Sequence, residues 1–327
     1  MQNATEVNRA GAGGGGAWAR LGALGPTYGA LAALILLILA NIIFTRNFWD
    51  INNFWNILLQ VAPTMLVATG MTFVIATGGI DLSVGSVMAV AASIAAINLD
   101  NGILMAVLLA LLVSAAIGAV NGTLISVFRI QPIIVTLAVL IAGRGIAQIP
   151  SEGRLIEFKG HYPAFESLGT GYVGPVPVQV LVMIIIVAAA IFVMRATSFG
   201  RYVVAVGGNQ AASHLAGVKV HRTKIAVYAL SGLLAGLAGL IESARGGASD
   251  PSNVGINIEL DAIAAVVIGG TALTGGRATI IGTVIGALIM QVITTSFNMQ
   301  GIAFSWSLVI KAAIIIIAVY VQRPKVA

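Results

Sequence analysis

Apolar positions in this chain come in long unbroken runs, not in the single-face stripes of a soluble amphipathic helix. A helix needs roughly 20 such residues to cross a bilayer. Runs of about that length recur, separated by short polar links, at 28–44, 61–77, 83–98, 103–127, 132–149, 178–194, 224–243, 259–270, 279–297 and 303–321. The pattern predicts about ten transmembrane helices, of which the eighth is too short to cross alone. Residues 47–60, NFWDINNFWNILLQ, place Phe48, Trp49, Phe54 and Trp55 among polar residues. That mixture predicts a helix lying at the water–lipid interface. Residues 1–27 are polar and Gly-rich, with GAGGGG at 11–16, and read as a flexible tail. Two longer links remain, at 150–177 and 196–223.

Composition narrows the class. The 327 residues are 58% hydrophobic and only 9% charged, where a soluble domain carries about 25% charged residues. A membrane β-barrel would alternate polar and apolar positions. The fold class is therefore an all-α polytopic integral membrane protein. The formal charge of +6 does not gather into one basic patch, so nucleic acid is not an expected partner. Read as topology signals, the cations favour one side. Arg9, Arg20, Arg129, Arg195, Arg201, Lys219, Arg222, Lys224, Arg277, Arg323 and Lys325 fall on the side of the N-terminus. Arg46, Arg154, Lys159 and Arg245 fall on the other. By the positive-inside rule both termini are cytoplasmic, and the 150–177 link, with Glu152, Glu157 and Glu166, faces outward. There is no cysteine, hence no disulfide and no thiolate metal site.

An internal repeat is visible. Ile117–Gly118–Ala119 in the fourth span matches Ile285–Gly286–Ala287 in the ninth, and each precedes a polar link carrying Gln131 or Gln300. Five spans separate the two, so they cross in opposite directions. That predicts a 5+5 inverted repeat. The Gly78–Gly79 match with Gly269–Gly270 has another offset and reads as chance. Under the repeat, Arg144 and Lys311 are equivalent. A cation deep in a span is costly unless paired, so both should point inward, to a carboxylate, backbone carbonyls or water; Asp81, Glu242 and Asp261 are the available acids, with Asp81 the favoured partner of at least one. Gly118/Gly122, Gly232/Gly236 and Gly282/Gly286 are GxxxG pairs and read as close helix packing.

Asp81 lies in IATGGIDLSVGSVMAVA, residues 75–91. A carboxylate there either caps the next helix or lines a water-filled path. Candidates for a translocation path are Asp81, Ser83, Asn121, Gln131, Arg144, Asp261, Gln291 and Lys311. Glu259 and Asp261 also suit a helix start, where the dipole favours acids. Within GGNQAASHLAGV, residues 207–218, Asn209 is a good N-cap for a helix over 210–215 and Gly217 a good C-terminal stop. This is either an ordinary surface helix or one presented to another protein. There is no GxxxxGK[ST] loop, no HExxH and no GxSxG. His214 and His221 stand seven apart without a carboxylate and make no metal pair.

Four segments together carry a family resemblance: GGIDLSVGS at 78–86, IQPIIVTLAVLIAGRG at 130–145, VGGNQAASHLAGV at 206–218 and ELDAIAAVVIGGTALTGGRAT at 259–279. The chain from about residue 28 resembles the permease subunits of bacterial ABC importers for monosaccharides, of the ribose, xylose and galactofuranose type, with IAGRGIAQ leaning toward the last. The resemblance implies a multi-pass inner-membrane subunit with no cofactor and no catalytic residue of its own. It implies three partners: a cytoplasmic ATPase, a periplasmic sugar-binding protein and a second permease. It also implies that Gly208, Asn209, Gln210, Ala211, Ala212, Ser213, His214, Leu215, Ala216 and Gly217 form the contact to the ATPase. The other reading is a stand-alone secondary transporter or channel for a small polar solute. A stable ATPase partner separates the two.

Overall fold

The computed structural model describes the backbone of residues 15–321 and the side chains of residues 25, 27–303 and 305–316. The helices are α1 (Gly15–Phe44), α2 (Ile51–Ala76), α3 (Val84–Asn98), α4 (Ile103–Ser126), α5 (Pro132–Gln148), α6 (Pro163–Thr170), α7 (Val178–Ala196), α8 (Ser198–Gly208), α9 (Gln210–Leu215), α10 (Val220–Gly246), α11 (Ile258–Ile268), α12 (Ile280–Met299) and α13 (Phe304–Val321). Among the described residues, eight helices are long and apolar enough to cross a membrane. At 1.5 Å per residue, the 11 residues of α11 rise only about 16 Å. Residues 269–279 follow it as non-helical chain.

α10 is the central helix. It packs against α2, α3 and α4, and most of its middle is buried. The GxxxG glycines make this possible. A Cβ on Gly118 would lie 2.1 Å from the Tyr228 carbonyl oxygen, and one on Gly232 would lie 2.3 Å from that of Ser114. α12 meets α11 in the same way, with Gly286 against the Ala265 carbonyl. Helix backbones held this close gain dispersion contacts that lipid cannot supply. The outward faces of α1, α4, α5 and α7 carry exposed Leu, Ile and Phe, as a lipid-facing surface does.

The links gather at two ends. At one, Ile156–Glu157 pairs antiparallel with Ala248–Ser249, Tyr162 donates to the Asp100 carboxylate, and Gln300 donates to Thr45 Oγ1 at 2.9 Å. At the other, the Gly276 amide donates to the Ala76 carbonyl at 2.9 Å. The second end also holds the α8–α9 joint.

Three expectations change. The 47–60 segment is not a separate interfacial helix. Asp50 caps α2, accepting from the Asn52 amide at 2.7 Å, and no breaker follows before Ala76 except Pro63. Proline tolerates this position because another donor takes up the carbonyl it frees, as described below. The 196–223 link is mostly helical, forming α8, α9 and the first turn of α10. The expected tail enters α1 at Gly15, while residues 1–14 lie outside the described residues.

The Gly78–Gly79 and Gly269–Gly270 match also has a physical basis. Gly78 (φ +77°) and Gly270 (φ +90°) each end a helix with the same double hydrogen bond: Gly78 to Ile75 and Gly79 to Val74, then Gly270 to Val267 and Thr271 to Val266. This left-handed glycine stop closes α2 and α11 alike.

Candidate translocation path and coupling surface

Polar side chains of three spans converge at the first end of the bundle. They form a cleft of about 200 Å³ lined by Gln60 and Thr64 of α2, Glu242 and Arg245 of α10, Asn253 of the following loop, and Asp261 of α11. Pro63 has no amide proton to give to Leu59, four residues back. Arg245 Nη1 donates to that carbonyl at 3.1 Å instead. This anchors the guanidinium at the cleft edge. Gln291 of α12 donates from Nε2 to Gln60 Oε1 at 2.9 Å and to Thr295 Oγ1 at 3.2 Å.

Asp261 is held by a buried lysine. Lys311 Nζ donates to both carboxylate oxygens at 3.1 Å. The lysine side chain is 8% exposed and the aspartate 35%, so the pair runs from the protein interior to the cleft wall. Arg144 of α5 donates from Nη1 to the carbonyls of Pro251 and Val254, at 3.0 and 2.7 Å. Glu242 accepts from the Gly255 amide. The loop 250–256, which borders the cleft, is thus tied to α5 on one side and α10 on the other. Asp250 closes the loop's turn, accepting from the Ser252 and Asn253 amides and from Asn253 Nδ2. The Asn253 side-chain bond, with those amides, holds the Asp250 carboxyl below its ordinary range.

Asp81 takes neither cation, which corrects the expected pairing. It lies 1% exposed at the opposite end of α2, far along the chain from the cleft residues of that helix. Ser83 donates to its Oδ1 from both Oγ (2.6 Å) and the amide (3.1 Å), and Ser231 Oγ donates to Oδ2 at 2.9 Å. Asn121 Nδ2 donates to Ser83 Oγ at 2.9 Å. Asp81, Ser83 and Asn121 therefore do come together, as a buried knot joining the α2–α3 break to α4 and α10. None of them lines the polar cleft. A buried carboxylate is costly unless donors satisfy it, and three donors do so here. Gln131 stands apart, exposed just before Pro132 at the start of α5.

Of the eight path candidates, Asp261 lines the cleft directly. Gln291 and Lys311 hold its lining residues, and Arg144 holds its loop. Sequence reading missed Gln60, Arg245 and Asn253 and gave Glu242 no role at the cleft. The available signal was Pro63 in a helix that carries Gln60 one turn earlier, opposite a second helix whose last turns carry Glu242 and Arg245.

α9 forms over the expected residues. Asn209 Oδ1 accepts from the Ala212 amide at 2.9 Å. Gly217 (φ +83°) ends the helix, its amide bonding His214 and that of Val218 bonding Ser213, each at 3.0 Å. Lys224 Nζ of α10 donates to Gln210 Oε1 at 2.8 Å, which fixes the helix to the bundle. Ser213 faces inward, while Gln210, Ala211, Ala212, His214, Ala216 and Gly217 are exposed. Leu215 is 88% exposed. A capped helix that offers small residues and one bare leucine suits a contact with a partner. Beside it runs a groove of about 410 Å³ edged by His214, Lys219, His221 and Arg222.

No solved structure matches this chain. Curated relatives do. Ribose import permease protein RbsC of Escherichia coli (strain K12) is 42% identical over 299 residues, 90% of this chain and 93% of that protein. Ribose import permease protein RbsC of Bacillus subtilis (strain 168) is 40% identical, covering 92% and 93%. Galactofuranose transporter permease protein YtfT of Escherichia coli (strain K12) is 38% identical, covering 90% and 89%. Residues 53–319 match the family described as branched-chain amino acid transport system / permease component. That range takes in the polar cleft, the Asp81 knot and α9, and the chain belongs to this family of membrane permease components.

Proposed function

We propose that the chain is the membrane-spanning subunit of an ABC importer that carries a monosaccharide across the bacterial inner membrane. The observation that carries this reading is spatial. A polar cleft lies at one end of the bundle and a capped, presented helix at the other. The cleft offers what a sugar needs: carboxylates to accept from hydroxyls, and amides and a guanidinium to donate to them. It is small and few-handed, which suits passage better than tight retention. The relatives named for ribose and galactofuranose support the substrate class.

The energy comes from a separate ATPase docked on α9, and this chain is not itself an enzyme. A periplasmic sugar-binding protein delivers solute at the cleft end, against the 150–177 link, and a second permease completes the passage. Both termini lie in the cytoplasm, and ten crossings arranged as a 5+5 inverted repeat give that topology.

Ala212→Arg tests the reading. The side chain projects from the exposed face of α9, where the helix fold tolerates it. The variant should insert and elute normally yet lose its ATPase subunit in a pull-down. Unchanged association would overturn the docking role. Failure of the unaltered chain to retain any ATPase would favour the stand-alone transporter.

A further inference from the structure

We infer that a main-chain junction, built mostly of glycine, carries movement of α9 to the two broken spans. Three chain segments meet at the α9 end of the bundle. The first is 76–79, the break between α2 and α3. The second is Gly207–Gly208, the last two residues of α8, with Asn209 alone between them and α9. The third is Gly275–Gly276, within the break between α11 and α12.

The contact is main chain on main chain. The Gly276 amide donates to the Ala76 carbonyl at 2.9 Å. Gly207 sits on that hydrogen bond. A Cβ there would lie 1.8 Å from the Ala76 oxygen and 2.5 Å from the Gly276 nitrogen. A Cβ on Gly275 would lie 2.8 Å from the Gly78 nitrogen and 3.0 Å from the Gly207 oxygen. One on Gly276 would lie 2.9 Å from the Gly208 Cα. Gly78, Gly275 and Gly276 also hold positive φ, which side-chain-bearing residues adopt at a cost.

The nearest neighbours of Gly207, Gly275 and Gly276 are all backbone atoms. Flexible side chains would absorb a small displacement by changing rotamer, whereas backbone segments in contact must move together. What lies beyond the junction is also tied. The first break carries Asp81, bonded through Ser83 and Ser231 to α4 and α10, and Tyr228 Oη donates to the Ile80 carbonyl at 3.4 Å. In the second break Thr279 Oγ1 donates to the Gly269 carbonyl at 2.9 Å. Thr72 and Thr283, just inside, bond each other at 2.7 Å. A shift of α8 thus bears on the starts of α3 and α12 together, and Gly207 and Gly276 are positioning residues for transport. The inference rests on α9 being the ATPase dock.

Peptide-level hydrogen exchange on the full permease–ATPase complex tests it, with and without a non-hydrolysable ATP analogue. The analogue should change exchange at 209–218 and, by about threefold or more in rate, at both 76–83 and 269–279. In Gly207→Ala the ATPase should still co-purify and 209–218 still respond, while the two breaks no longer follow. Gly208→Ala, whose Cβ meets nothing nearer than 3.9 Å, should behave as the unaltered chain. Exchange at the breaks that ignores the analogue, or that follows it in Gly207→Ala, would overturn the junction alone. If Gly207→Ala fails to fold, the measurement on the unaltered complex still decides. Absence of ATPase protection at 209–218 would overturn the docking role, and this inference with it.

Discussion

The Lys311–Asp261 pair should break asymmetrically. Removing one member of a buried pair costs about 3–5 kcal/mol, mostly because the other charge is left without a partner. Here the two orphans differ. After Asp261→Asn, Lys311 keeps its ammonium in a site where its side chain is 8% exposed, so the loss falls near the low end of that range, about 3 kcal/mol. After Lys311→Met, the aspartate retains 35% exposure and faces the polar cleft. Water there screens it, and the loss falls to about 1–2 kcal/mol. The double variant leaves no charge behind and should recover most of the Asp261→Asn deficit. The assay is the midpoint of thermal inactivation in detergent, read as the folded fraction by size exclusion. The same four proteins in vesicles give uptake of labelled ribose. If Asp261 contacts solute, the double variant is stable but transports poorly, and Lys311→Met transports better than Asp261→Asn. Equal midpoints for the single variants, or a lower one for Lys311→Met, would refute the reasoning from exposure.

Gly118→Val puts a branched side chain where even a Cβ would stand 2.1 Å from the Tyr228 carbonyl; α4 and α10 must part, at about 1–3 kcal/mol or more, and an unchanged melting midpoint would contradict the crossing. A cysteine at exposed Ser167 in this otherwise cysteine-free chain should react with an impermeant thiol reagent in intact cells, whereas labelling only after lysis would reverse the proposed topology. Asp250, whose carboxyl is held below its ordinary range mainly by Asn253, contributes to loop stability fully above the unfolded value near 3.9, and that contribution is lost as pH falls through the lower folded value. Exchange of the Asn253 amide should therefore show no added opening from pH 8 to 5 beyond the intrinsic rate, and an opening step centred near pH 6 would contradict this assignment.

The membrane class was legible because it rests on a coarse quantity, the length of apolar runs, which local context barely alters. The α9 helix was legible because its signals are local: Asn209 and Gly217 act on backbone groups within a few residues. Partners across the bundle were legible only as a choice among three acids, backbone carbonyls and water. Lys311 finds Asp261 fifty residues back and Arg144 finds carbonyls more than a hundred residues on. Nothing in either segment marks the other. Asp81 was the conspicuous acid, and attention to charge alone made it the expected counter-ion. Its actual partners are hydroxyls, Ser83 and Ser231, which composition treats as unremarkable in an apolar span.

The glycines carry the same lesson from the other side. Read one at a time, a Gly-rich membrane chain offers many equivalent small-residue pairs, and the Gly78–Gly79 match to Gly269–Gly270 had no better standing than the rest. Its meaning depends on where two helices stop. Once α2 and α11 are seen to end at the same end of the bundle, with Gly276 bonded to Ala76 and Gly207 seated on that bond, the two stops become neighbours of the segment that leads into α9. A sequence can announce that a helix stops at a glycine. Only the packed bundle determines what that stop is pressed against, and in this permease it is the backbone of the neighbouring break and of the end of α8.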